Sequence, residues 1–224
     1  MNIRISLALL FLVTAAAAGD PPKAPECVTT SKVELRYSPG GDCTNAIITE
    51  LDNAKSKILM LAYSFTSEPI TEALVRAQKR GVEVQAIIDS ARLFERSNCT
   101  KILAEGGVTV YGDAAHAIQH QKVFIIDPDD NPVLILGSFN FTAAAEKSNA
   151  ENVVMLRSRD LAEAATKNWI LHRNHSKLYA EFTPPEKPGF FATLGRIAIC
   201  FAISIIVIVL LTISLVVLYL KSKK

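Results

Sequence analysis

The sequence of 224 residues contains only four cysteines and one tryptophan, and it has no HExxH pattern and no GxSxG pattern. The first absence removes the usual helix-borne zinc hydrolase motif, and the second removes the serine nucleophile elbow. No internal repeat is present, and about 150 residues between the two ends suffice for one core, so one domain is expected. A global excess of positive charge is also missing from the body of the chain. Residues 20–187 hold 19 Lys and Arg against all 22 Asp and Glu, a net of −3. A body of that sign lacks the basic field of a tight non-specific DNA binder, so any grip on nucleic acid must be local. Lys79, Arg80, Arg92, Arg96 and Lys101 are the candidates for such a grip, although exposed cations of this kind are commonly just solvated surface.

What the chain does have is concentrated in residues 120–151, HQKVFIIDPDDNPVLILGSFNFTAAAEKSNAE. The text reads as two short strands around a turn, residues 128–132 (PDDNP). Side chains of a strand alternate faces, so His120 and Lys122 share one face and Asp127 has the opposite parity. The second strand delivers Ser138 and Asn140, again two apart. Together these groups suit attack on a phosphodiester. His120 supplies a nucleophile or acid, Lys122 the positive charge, and Ser138 and Asn140 hydrogen bonds to non-bridging oxygens. Glu151 is the candidate carboxylate to orient the imidazole and support its charge. This chemistry needs no metal and no cofactor. Asp127, facing away, is expected to hold neighbouring donors, although it belongs to the motif.

The pattern His120-x-Lys122-x4-Asp127 followed by Gly137-Ser138-x-Asn140 resembles the signature of the phospholipase D superfamily. The segments AYSFTSEPI, AIQHQKVFIID and GSFNFTAAAEKSNAEN are similar to the bacterial Nuc-type endonucleases within it, over about residues 33–180. One departure is the nine residues between Asp127 and Gly137, longer than the family's usual gap, which the PDDNP turn can absorb. The resemblance implies two steps through a phosphohistidine, one His attacking and a second protonating the leaving group. It also implies a role for Glu151 beside the active-site His, eleven residues after Asn140. Only one such motif is present, so the second His is expected from an identical chain across a two-fold axis, a homodimer with one shared site. A monomer would have to use His116, His172 or His175. Three function classes stay open. They are a non-specific endonuclease on DNA or RNA, a phospholipase D or cardiolipin-type phospholipid hydrolase, and a non-catalytic phosphate-binding scaffold.

The two ends differ from the body. Residues 1–18 carry Arg4, then an uncharged run closing in AAAA, and read as a signal peptide; residues 19–32 are a Pro-rich linker. Residues 33–182 form the catalytic domain and 183–196 a juxtamembrane segment, with FFATLGR at the membrane surface. Residues 197–220 carry no charge and would span about 36 Å as a helix, enough for a transmembrane segment with some tilt. The lysines of tail 221–224 mark the cytoplasmic side, placing the domain on the extracytoplasmic side of the membrane.

Within the domain, strand and helix text alternates. KILMLAYSF and VEVQAIID read as buried strands, EPITEALVRAQKRG as a helix between them, and DLAEAATKNWILHRNH as a final helix capped by Asp160. Successive β-α-β units predict an α/β fold with a mixed, largely parallel sheet and helices on both faces. Cys200 lies in the apolar C-terminal run, leaving Cys27, Cys43 and Cys99. Cys43 and Cys99 each open a helix after a strand, near the sheet's carboxyl edge, so the expected bridge is Cys43 with Cys99, with Cys27 left over or pairing between chains. Asp113, His116 and His120 invite a reading as metal ligands. It is set aside, because His120 lies in strand text and no third ligand is evident, which leaves His116 a rim or loop residue. Trp169 is expected in the core; base stacking is the alternative for it and for Tyr179.

Overall fold

The computed structural model describes residues 28–29, 33–95, 97, 99–185 and 190–221. The expected signal peptide, most of the linker, Cys27, Arg96 and residues 222–224 lie outside these. Contacts divide the chain into two units, Met1–Phe182 and Thr183–Lys224.

In the first unit, β1 (Val28–Thr29) and β2 (Val33–Ser38) are followed by α1 (Cys43–Asn53) and β3 (Lys57–Ala62). Next come α2 (Glu68–Lys79), β4 (Glu83–Asp89), α3 (Cys99–Glu105) and β5 (Thr109–Asp113). The chain then forms β6 (Lys122–Ile126), β7 (Val133–Gly137), α4 (Ala143–Lys147), β8 (Glu151–Leu156), α5 (Arg159–His175) and β9 (Lys177–Leu178). Among the described residues, nine strands make one sheet in the order β1-β2-β8-β7-β6-β3-β4-β5-β9. The presence of β1 means that part of the expected linker joins the sheet, antiparallel to β2.

Strand alternation explains both cores. Ile58, Met60 and Ala62 of β3 face one layer, which Ile47 and Leu51 of α1 and Leu74 of α2 fill. Leu59 and Leu61 face the other, closed by Ala162 and Trp169 of α5. The Trp169 indole is buried and donates to the Met60 carbonyl at 3.1 Å, so it is a core residue that also ties α5 to β3. Helices thus cover both faces, as expected.

The sheet is mixed, but it is not largely parallel. Among the described strands, β3-β4 and β4-β5 pair in parallel, while the ladders of β2 with β8, β8 with β7, β7 with β6, and β6 with β3 are antiparallel. Parallel neighbours need a long crossover, and only α2 and α3 supply one between adjacent strands. From β6 onward the chain turns back through short connections.

The helix boundaries follow local chemistry. Ser67 caps α2 with its hydroxyl toward the Ile70 N–H at 3.5 Å, Pro69 sits in the first turn, and Gly81 at φ 94° ends the segment. α5 begins one residue before Asp160, which sits in the first turn and is not the cap. The expected Cys43–Cys99 bridge is absent, and both residues are buried. Both helices do start at the carboxyl edge of the sheet. However, α1 packs on α2 and α2 on α3, so a whole helix separates the two sulfurs.

The second unit contains α6 (Phe190–Lys221). Among the described residues no helix is long and apolar enough to cross a membrane. The expected span over residues 197–220 includes side chains outside the described residues.

Candidate active site

The sequence-predicted residues meet at the carboxyl edge of the sheet. Lys122 opens β6 opposite Ala62, the last residue of β3. β7 runs in the same direction as β3, so Ser138 and Asn140 leave it at that edge, and β8 starts there with Glu151 opposite Ser38. Ligands of open α/β sheets collect at this kind of edge.

His120 is exposed, with its ring 4.8 Å from that of Tyr63. Lys122 is buried and donates from Nζ to the His120 carbonyl at 2.6 Å; the same Nζ lies 5.3 Å from the Tyr63 ring centre. Burial lowers the Lys122 pKa, and the negative charge of Glu151 opposes that shift. Arg92 stacks on Tyr63, 4.6 Å from its centre, and donates to its hydroxyl, so two cations and the imidazole share this aromatic ring.

Ser138 and Glu151 form the second part. The Ser138 hydroxyl donates to Glu151 Oε2 at 2.6 Å and accepts the Asn152 N–H at 3.1 Å, while the Ser138 N–H donates to Asn152 Oδ1 at 2.9 Å. Asn149 donates to Glu151 Oε1 at 3.1 Å. Gly137 is required for this closeness, because a Cβ there would stand 2.2 Å from the Asn152 carbonyl oxygen. Glu151 is thus bonded to Ser138 and Asn149, and the expected bond to the His120 imidazole is not made within the chain. Asn140 Oδ1 is buried without a hydrogen-bond partner. Thr66 and Ser67 N–H groups donate to the Phe141 carbonyl at 2.9 and 3.0 Å, drawing the loop after β3 beside this segment.

Asp127 lies elsewhere. It follows β6 at the opposite end of the strand, about 17 Å along it from Lys122. Its carboxylate accepts the N–H groups of Lys55, Ser56 and Lys57 at 2.9, 2.7 and 3.1 Å and the Ser56 hydroxyl at 2.9 Å. Burial alone would raise its pKa; these donors outweigh burial and hold the carboxyl below its ordinary range. Asp127 is a backbone clamp and takes no direct part in the site.

Of the described candidate cations, Arg92 is the one that meets the Tyr63 ring at this edge. Arg80 follows α2 at the other edge and pairs with Asp52 and the Leu51 carbonyl, and Lys101 pairs with Glu105. Tyr179 packs on Phe94. A cavity of about 430 Å³ between the starts of α1, α2 and α4 contains none of the predicted residues.

Residues 47–170 match the family model described as cardiolipin synthase, PLD-like domain, more than half of the chain. The chain belongs to the phospholipase D superfamily. Phospholipase D of Rickettsia felis is 41% identical over 140 residues, covering 62% of this chain and 68% of that protein. Mitochondrial cardiolipin hydrolase of Mus musculus is 27% identical over 143 residues, 64% of this chain and 60% of the relative. The crystal structure of Nuc from Salmonella typhimurium, a phospholipase D family member, superposes with a TM-score of 0.61 at 39% identity, over 66% of this chain and 97% of Nuc. The phospholipase D-like domain is a phosphodiester hydrolase.

Three features of the domain escaped the sequence. Tyr63 read as the end of a buried strand, and only the aromatic type at the close of β3 hinted at more. Asp89, at the end of β4, accepts the Gln119 N–H at 2.8 Å, and Gln119 Oε1 accepts the Gln121 N–H at 2.7 Å, which fixes the backbone on either side of His120. The third is an Asp113 cluster. His120 is not in it; instead Asp113 and His116 are joined by His172 and His175. Burial would raise the Asp113 pKa, but His172, the Ala115 N–H, His175 and His116 together hold it well below the carboxylate range.

Proposed function

We propose that the chain is a metal-independent phosphodiesterase that works through a phosphohistidine on His120, with nucleic acid as its substrate. The observation that carries the reading is the single edge shared by His120, Lys122, Ser138, Asn140 and Glu151. The imidazole is exposed for attack while the ammonium is buried behind it. In the first step a His120 ring nitrogen forms a bond to phosphorus as the bond to the leaving oxygen breaks, and a second imidazole gives that oxygen its proton. Lys122 and the Asn140 amide offset charge on the non-bridging oxygens. In the second step water attacks phosphorus, the acid of the first step now taking its proton, and His120 is released. Glu151, held by Ser138 and Asn149, offsets part of the fall in Lys122 pKa that burial causes.

The second imidazole is assigned to an identical chain. The other three histidines of the sequence all engage Asp113 of β5, three strand positions or about 14 Å from β6. A two-fold axis through this edge would bring two His120 side chains to one phosphate. Signal peptide and C-terminal membrane helix, both read from the sequence, would place the domain on the extracytoplasmic side with a cytoplasmic tail.

Nucleic acid is favoured by the likeness to Nuc and by the Arg92–Tyr63–His120 group, in which a cation and an aromatic ring, both half-buried, stand beside the exposed imidazole. A phospholipid substrate is the second reading, supported by relatives named phospholipase D and cardiolipin hydrolase. The test is to give the full chain plasmid DNA and, separately, cardiolipin vesicles, with His120→Asn alongside. DNA cleavage that persists in chelator and vanishes in the variant supports the first reading. Hydrolysis of the lipid alone, equally dependent on His120, replaces it with the second.

A further inference from the structure

Asp113 ends β5 with a side chain that is 0% exposed. One carboxylate oxygen, Oδ1, accepts the Ala115 N–H at 2.9 Å. The other, Oδ2, faces three imidazole nitrogens: His172 Nδ1 at 2.8 Å, His116 Nδ1 at 3.1 Å and His175 Nε2 at 3.2 Å. The four side chains offer ligand atoms that all lie within 4.8 Å of one another. They come from three places: the end of β5, the loop that follows it, and the last turns of α5.

Hydrogen bonding alone accounts poorly for this arrangement. Each nitrogen would need a proton, and three N–H groups would converge on one oxygen that has two lone pairs. With the protons on the far ring nitrogens, the same atoms offer three imidazole lone pairs beside one carboxylate oxygen, all within 4.8 Å of one another, a spread that a bound ion would have to draw in. The oxygen–nitrogen separations, 2.8 to 3.2 Å, approach the edge of about 3.3 Å in a tetrahedron with bonds of about 2.0 Å. His172 also has an outer partner. Asn168 Nδ2 donates to Gln121 Oε1 at 3.1 Å, and the Gln121 NH2 lies 3.1 Å from His172 Nε2, so ligation through Nδ1 requires the two amides to turn over and present Gln121 Oε1 to an Nε2–H. His116 and His175, 49% and 34% exposed, leave the cluster open to solvent.

We propose that Asp113, His116, His172 and His175 bind one divalent transition ion of the zinc type. Nitrogen-rich sets with one carboxylate suit that ion, and four protein ligands leave no open position, so the site is structural and separate from the His120 chemistry. The ion ties residues 114–121, the loop that carries His120, to the end of α5.

The test uses the purified full chain, stripped of metal and titrated with Zn2+ and Co2+, with metal content, affinity and thermal midpoint as readouts. His116→Ala and His175→Ala are the variants, because both side chains are partly exposed and their loss leaves the core intact. The expected result is one ion per chain, a visible Co2+ spectrum of tetrahedral intensity, and a higher midpoint with Zn2+. Each variant should lose affinity at least about tenfold and lose the midpoint shift. Hydrogen exchange of residues 114–121 should slow when Zn2+ is bound. No binding of either ion at micromolar concentration, or folded variants that bind as tightly as the parent, would overturn the site. These readouts do not involve turnover, so they stand apart from the reading of His120.

Discussion

His120 is the residue on which the chemistry depends, and its exposure makes it separable from stability. His120→Asn should leave thermal unfolding unchanged while turnover falls below detection. Lys122 and Glu151 are coupled by charge. Glu151→Gln removes the negative charge that favours the ammonium, so Lys122 should lose its proton at lower pH. The alkaline limb of the kcat/KM profile then moves downward; a limb that stays in place would separate the two residues. Asp127 acts on stability instead. Its folded pKa lies below the ordinary 3.8, so its contribution is present above that value and is lost as pH falls through the folded pKa. Asp127→Ala leaves several buried N–H groups unpaired and should cost roughly 3 kcal/mol at neutral pH with little change in kcat. Urea unfolding at about pH 7 and about pH 3 would show the acid-dependent part missing in the variant. The sequence implied that Asp127 holds neighbouring donors, but the reason is its place past the far end of β6, at φ 47°, rather than strand parity. The Asp113 cluster was not legible in the same way: Asp113 and His172 are 59 residues apart and meet only when α5 packs on the sheet.

At the scale of elements, the close approach of β7 and β8 is what brings Ser138 to Glu151. Gly137→Ala would force a Cβ against the Asn152 carbonyl. The expected outcome is a loss of roughly 1–3 kcal/mol and a drop in kcat, measured by urea unfolding and by turnover of a small diester. Unchanged values for both would mean that the strand pair relaxes without disturbing the site. Most elements were readable, since caps and turns such as Ser67, Pro69, Gly81 and PDDNP are local signals. Pairing was less readable. The β-α-β text around α2 and α3 correctly implies parallel neighbours, but nothing local states that β2 joins β8 and β8 joins β7. The same gap misled the cysteine reading. Cys43 and Cys99 do follow strands at one edge, and the lateral distance between α1 and α3 is set by sheet order, which spacing along the chain does not encode.

For the whole molecule, the central proposals are a site shared by two chains and a phosphohistidine within it. Sharing has a quantitative signature. When parent and His120→Asn chains are mixed and re-equilibrated, a shared site makes every mixed dimer inactive, so half-and-half mixing should leave about a quarter of the parent activity. Independent sites would leave about half. The most direct test of the mechanism is chemical and does not depend on which natural diester is hydrolysed. The full chain is reacted with bis(p-nitrophenyl) phosphate, quenched at alkaline pH during turnover, and digested for mass mapping. The account predicts a p-nitrophenyl phosphoryl group on His120, stable to alkali and lost in acid, and none in His120→Asn. Turnover with no adduct on any histidine, or an adduct on another residue that persists in the variant, would contradict it.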